Sequence, residues 1–235
     1  MRLYKKNFED EIFIGTLNFH KNQLISIHQF AESLSRIIKM RDSSTARHSE
    51  EVAEISYIIA LSYGIKEEEA EKIYIAGHLH DIGKIIIPKS VLNKRDNLTE
   101  SEWKLIKTHP IIGATILDSV SSIKEIKEMV LYHHERFDGK GYPSGLKGEE
   151  IPFGARIISI ADALSAMTRD RVYRKALSFE KAIIELKNNA GTQFASDLVE
   201  ATMDVLDEIY QFLYNKEERD DSIGFVIRGR KGRDY

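Results

Sequence analysis

The 235-residue sequence predicts an all-α protein, a helical bundle interrupted by one long irregular loop, and three observations carry that expectation. Apolar residues recur at three- and four-residue intervals along most of the chain, which is the helical period. No run of alternating apolar and polar residues is long enough to supply a sheet. The chain breakers are concentrated: Gly139, Gly141, Pro143, Gly145, Gly148 and Pro152 all fall between Glu135 and Gly154, and so many breakers exclude regular structure there.

In chain order, residues 1–40 read as an irregular start followed by an amphipathic helix, with Leu24, Ile27, Phe30, Ala31 and Leu34 on one stripe. Such a segment packs on the main domain or pairs with a second copy, and the pattern leaves both open. From Ser49, Val52, Ile55 and Ile59 mark a helix with His48 at its first turn and Gly64 as its left-handed stop. Glu67, Glu68 and Glu69 open the next helix, where acidic side chains complement the dipole, and its apolar side leads to His80-Asp81. Thr99 and Glu102 have capping-box spacing for a helix ending at His109-Pro110. Helices follow over 111–117, 122–134 and 155–167, then from Ser178 to a stop at Gly191, and from Ser196 to about Tyr214. Residues 41–215 form the main domain, and 216–235 a charged tail with one short strand at Ile223–Ile227.

Composition narrows the chemistry. A formal charge of −3 offers no basic footprint for a nucleic-acid polymer, so the expected partner is a small molecule. The chain has no cysteine, which excludes disulfides and thiolate chemistry and leaves His and carboxylate as metal ligands. A cytoplasmic location is expected: no signal peptide is recognisable, and no stretch approaches the ~20 apolar residues of a membrane span.

Seven residues of ligand type stand out: His48, His80, Asp81, His109, His133, His134 and Asp162. They include five of the chain's eight histidines, and they exceed the needs of one ion. A two-metal site uses all of them, with ions ~3.5–4 Å apart. Asp81 is the natural bridge, since a carboxylate offers one oxygen to each ion and imidazole cannot. One ion then takes His48, His80 and Asp162, the other His109, His133 and His134. His20, His28 and His78 are read as bystanders.

These residues stand within a longer ordered pattern: His80-Asp81-Ile82-Gly83-Lys84, His109-Pro110, His133-His134-Glu135-Arg136, Gly141-Tyr142-Pro143, Ala161-Asp162-Ala163 and Tyr173-Arg174. From about Thr45 to Leu198 the chain resembles the HD-GYP domains of the HD phosphohydrolase superfamily. The resemblance implies an HD-type helical bundle with a glycine- and proline-rich active-site loop. It also implies hydrolysis of cyclic di-GMP to linear pGpG, with GMP as a further product, by in-line attack of a metal-bridging hydroxide. The seven ligand-type residues carry over as the metal set, and the expected cofactors are two divalent ions, iron or manganese.

Lys84, one helical turn from His80 and Asp81, is the expected cation that holds the scissile phosphate or its leaving oxygen, with Asp81 beside it. By the same resemblance Gly141, Tyr142, Pro143, Arg171 and Arg174 are the expected substrate contacts, and the loop is also a candidate surface for a regulatory protein. Two departures matter. Ser44 stands where some members carry a carboxylate that holds a third ion, so two ions are expected. Ser165 stands where members commonly carry an aspartate, which removes an expected carboxylate next to the ligands and favours, as the alternative, a slow or inactive signalling module.

Overall fold

The computed structural model describes residues 43–94, 96–118, 123–170 and 175–215, together with positions 27, 29, 31, 33 and 34. Ten α-helices occur among the described residues: α1 Ser43–Ser62, α2 Glu67–Leu79, α3 Lys89–Leu92, α4 Glu100–Ile106, α5 His109–Leu117, α6 Lys124–Tyr132, α7 Phe153–Met167, α8 Phe179–Asn188, α9 Ser196–Met203 and α10 Leu206–Tyr214. No strand is present among them, and the single bridge, Ala190 to Phe194, is isolated. The expected short strand at 223–227 lies outside the described residues.

Helix α7 is the centre of the bundle. It is buried on several sides and packs against α1, α2, α6, α8 and α9, while α1 packs along α2 and α6 lies on α2 and α5. Ile55, Ile59, Leu79, Ile157, Leu164 and Leu198 are fully or almost fully buried in one continuous core. Burying such a side chain stabilises the fold by about 1.5–3 kcal/mol, so the apolar stripes read from the sequence decide which face of each helix turns inward. Ile27, Ala31 and Leu34 are helical and pack against that core; the rest of the proposed N-terminal dimer seam is outside the described residues.

The local signals act where the sequence placed them. The Thr99–Glu102 capping box forms with both hydrogen bonds. Gly64 and Gly191 take φ of 90° and 74° at helix ends, a region that L side chains avoid.

The helix expected over 122–134 spans Lys124–Tyr132 and the one expected over 155–167 begins at Phe153; three further differences bear on the site or the packing. Helix α1 begins at Ser43 rather than Ser49, so His48 lies in the second turn. Helix α4 ends at Ile106, and His109 opens the next helix with Pro110 behind it, because proline is tolerated in a first turn whose N–H groups have no partner. The expected helix from Ser196 to Tyr214 is two, broken at Asp204–Val205. The break lets α9 reach both α1 and α7 while α10 covers α1. No described helix is long and apolar enough to cross a membrane.

Candidate metal centre

The site sits where the ends of α2, α4 and α6 meet the second turn of α1 and the middle of α7. A helix leaves its last carbonyls without partners, and three histidines use them. His80 Nδ1 donates to Gly77 O at 2.7 Å, His109 Nδ1 to Ile106 O at 2.8 Å and His133 Nδ1 to Val130 O at 2.7 Å. A carbonyl only accepts, so each Nδ1 carries the proton and each Nε2 turns a lone pair inward. The tautomer needed for metal ligation is thereby set by the backbone.

The inward atoms crowd together. His109 Nε2 lies 3.3 Å from His133 Nε2 and 3.3 Å from Asp81 Oδ1. His80 Nε2 lies 3.3 Å from Asp81 Oδ2, and His48 Nε2 is 4.0 Å from that oxygen and 3.0 Å from Asp162 Oδ1. His80 Nε2 and Asp81 Oδ1 are buried without a hydrogen-bond partner. Acceptors facing acceptors in a dry interior are costly, and a cation between them removes the cost. Imidazole and carboxylate together suit a divalent transition metal.

Three groups of ligand atoms lie within 4.8 Å of one another: His109 with His133 and His134; His48 with His80 and Asp162; and His80 with Asp81 and His133. The first two are the two ligand sets expected from the sequence. Asp81 lies between them, with Oδ1 against His109 and Oδ2 against His80. Lys84, on the 3-10 turn Ile82–Ile86, donates to Asp81 Oδ2 at 2.6 Å and is part-exposed, which puts its ammonium at the rim.

Burial and charge pull the titrations apart. Burial pushes His109 down to about 3 and His134 down to about 4. Burial likewise lowers His48 and His133. Burial also opposes a charge on His80, yet the Asp81 carboxylate outweighs it and raises that imidazole. For Asp81 burial acts upward, but His80 and Lys84 hold the carboxyl well below its usual range.

The sign for stability follows. Between the unfolded value near 6.5 and about 4, the unfolded chain takes up protons on His109 and His134 that the folded protein refuses. Their contribution is complete above about pH 6.5 and is lost on acidification by ~1.4 kcal/mol per pH unit for each residue. His80 works in the opposite direction, one imidazole against four. The urea midpoint of chelator-treated protein is therefore expected to fall steadily from pH 6.5 to 4; a flat profile would contradict this electrostatic picture.

The glycine- and proline-rich loop closes one side. Glu135 Oε1 accepts from the Ser144 and Gly145 amides at 2.6 and 3.0 Å. Arg136 makes a two-pronged pair with Asp138 and reaches Gln193, so it ties the loop to the α8–α9 connection. A Cβ on Gly141 would lie 2.4 Å from Arg136 N and 2.6 Å from His134 O. Gly141 therefore lets the loop lie against the backbone of the histidine pair. The Tyr142 ring stacks on His134 at 4.8 Å and 30°, with Lys107 Nζ 5.5 Å from its centroid. The Tyr142–Pro143 peptide is cis.

Every ligand-type residue named from the sequence is at this centre, and His78 is not among them, its ring lying edge-on to Tyr74. Arg171 and Arg174 fall outside the described residues, as does the side chain of Ser44. Two participants were missed. Glu135 stands inside the histidine-pair motif with no role assigned by it, and Glu51 lies three residues from His48 on one helix, a spacing that puts both on one face.

The helical bundle and its converging imidazoles and carboxylates define an all-helical domain built around a candidate divalent-metal centre. The chain belongs to the HD domain family, whose model matches residues 32–198. Its structural neighbours include an HDG"Y"P protein from Bdellovibrio bacteriovorus, with a TM-score of 0.58 at 18% identity, covering 78% of this chain and 64% of that one. The chain is 38% identical over 198 residues to a cyclic di-GMP phosphodiesterase of Thermotoga maritima, covering 83% of this chain and 54% of that one. It is 36% identical over 178 residues to 3'3'-cGAMP-specific phosphodiesterase 2 of Vibrio cholerae, covering 75% of this chain and 34% of the relative. The chain thus spans about half or less of the length of these relatives. A crystal structure of a cyclic GMP-AMP specific phosphodiesterase from V. cholerae superposes with a TM-score of 0.62 at 18% identity, covering 80% of this chain and 51% of the other, and shares the fold.

Proposed function

We propose that this chain is a metal-dependent phosphodiesterase that hydrolyses cyclic di-GMP to linear pGpG. The observation that carries the reading is the ring of inward-facing acceptors around Asp81 with the Lys84 ammonium at its rim. Relatives named for cyclic dinucleotide hydrolysis support it.

His48, His80 and Asp162 would hold one divalent ion and His109, His133 and His134 a second, with Asp81 shared. Iron or manganese suits the set. Bound ions supply a water of lowered pKa and neutralise charge on the phosphate. Hydrolysis adds one water across the P–O3' bond: the water oxygen bonds to phosphorus in line with the departing 3' oxygen, and one water proton, passed through solvent, ends on that oxygen.

The chain's own side chains do the rest. Lys84 offers positive charge to the leaving oxygen as that oxygen becomes negative, which is where charge stabilisation counts. Tyr142 holds the His134 ring by stacking. Arg171 and Arg174 are proposed to meet phosphate oxygens or guanine edges, which a guanidinium matches in pairs.

Protein purified anaerobically, assayed for metal and followed by chromatography with added iron or manganese, tests the reading. Linear pGpG formed faster than products from 3'3'-cGAMP is expected. Faster cleavage of 3'3'-cGAMP would move the substrate, and ligand binding without product under any metal would favour the signalling-module alternative that Ser165 motivates. Lys84→Ala is expected to lower kcat on the order of 10²–10³-fold with metal content unchanged; wild-type turnover would remove Lys84 from the mechanism.

A further inference from the structure

His48 differs from its neighbours in the centre. His80 and His133 cap their helices, and His109 follows α4, so each finds a free carbonyl three residues back. His48 lies inside α1, where backbone carbonyls are committed to the helix. Its tautomer needs another source.

That source is a pair of side chains. His48 Nδ1 is 2.9 Å from Ser165 Oγ, and Ser165 Oγ is 2.8 Å from Glu51 Oε2. All three side chains are buried, Ser165 completely. Glu51 is held in turn by Arg47 Nε at 3.2 Å and Arg169 at 3.7 Å. Glu51 is three residues from His48 on α1, and Ser165 three from Asp162 on α7, so each partner shares a helix face with a ligand.

The proton order follows from chemistry. An ionised carboxylate only accepts, so the Ser165 hydroxyl donates to Glu51. Its one proton is then spent, and Ser165 Oγ faces His48 as an acceptor. His48 must carry a proton on Nδ1, which leaves Nε2 for the centre. We propose that Glu51, acting through Ser165, is a positioning residue that sets the metal-binding tautomer of His48. This rests on the metal-centre reading above. It also revises the expectation attached to Ser165: the carboxylate absent from that position is supplied by Glu51, one atom group further away.

Glu51→Gln is the decisive variant because it keeps the shape and changes the donors. Arg47 is the nearer guanidinium and draws the amide oxygen, which turns the amide NH₂ towards Ser165. The hydroxyl then donates to His48 Nδ1, and Nε2 takes the proton. Ser165→Ala removes the link without touching Glu51.

In each variant, titration with manganese should show one ion weakened about 10–100-fold, the usual loss on removing a group that orients a ligand. The second ion should be unaffected, and the double variant should be no worse than the weaker single, as for residues acting as one unit. Asp162 Oδ1 lies 3.0 Å from His48 Nε2 and competes for the proton when no metal is bound, so nitrogen NMR is read on metal-free protein carrying Asp162→Ala. The His48 proton should sit on Nδ1 in that background and move to Nε2 when Glu51→Gln is added. Wild-type affinity for both ions in folded Glu51→Gln, or an unchanged His48 tautomer, would overturn the proposal. If the wild type cleaves no cyclic dinucleotide while these shifts occur, the proposed reaction fails and the role of Glu51 stands.

Discussion

Asp81→Asn is expected to abolish turnover, by ~10³-fold or more, and to strip metal from both halves of the centre. The residue is buried, and its two oxygens face different imidazoles: Oδ1 is 3.3 Å from His109, and Oδ2 is 3.3 Å from His80 and 2.6 Å from Lys84. Its two oxygens thus face one member of each ligand group. Asparagine keeps the volume and removes the charge, and one of its two atoms becomes a donor pointed at an imidazole or at Lys84. Metal analysis beside a turnover assay checks both effects. A variant that retains two ions and measurable hydrolysis would show that Asp81 is not shared.

Gly83→Ala is expected to destabilise the protein by about 3 kcal/mol and to impair metal retention with it. A Cβ at this position would sit 1.9 Å from His109 O and 2.7 Å from Gly113 N, both backbone atoms of α5. Backbone cannot swing aside as a flexible side chain can. The 3-10 turn that carries Lys84 and the helix that starts with His109 must therefore separate, which pulls His109 from Asp81. A lowered urea midpoint together with reduced metal content is the expected pair of results. Unchanged values for both would mean that the contact yields more readily than its geometry implies.

The helical bundle was legible because its evidence is local. Val52, Ile55 and Ile59 state a buried face by spacing alone, and His48 continues the same stripe into the core. The Thr99 capping box and the glycine stops at 64 and 191 need only a few neighbouring residues. Where neighbours in sequence are not neighbours in space, the reading was less complete. The break at Asp204–Val205 reflects which helices α9 and α10 must cover. Gly141, an expected substrate contact, also lies against the backbone of His134 and Arg136, a close approach that no local pattern announces.

By itself, the sequence determined the family, the helical class and the ligand-type residues, since side-chain chemistry and helical period are properties of the chain. Only the tertiary structure decided how those ligands are held. Asp81 meets His109 across 28 positions and His48 meets Ser165 across 117, and such contacts leave no period to read. The choice of Nδ1 as the protonated nitrogen follows from helix ends and from Glu51, because a proton goes where an acceptor has been placed.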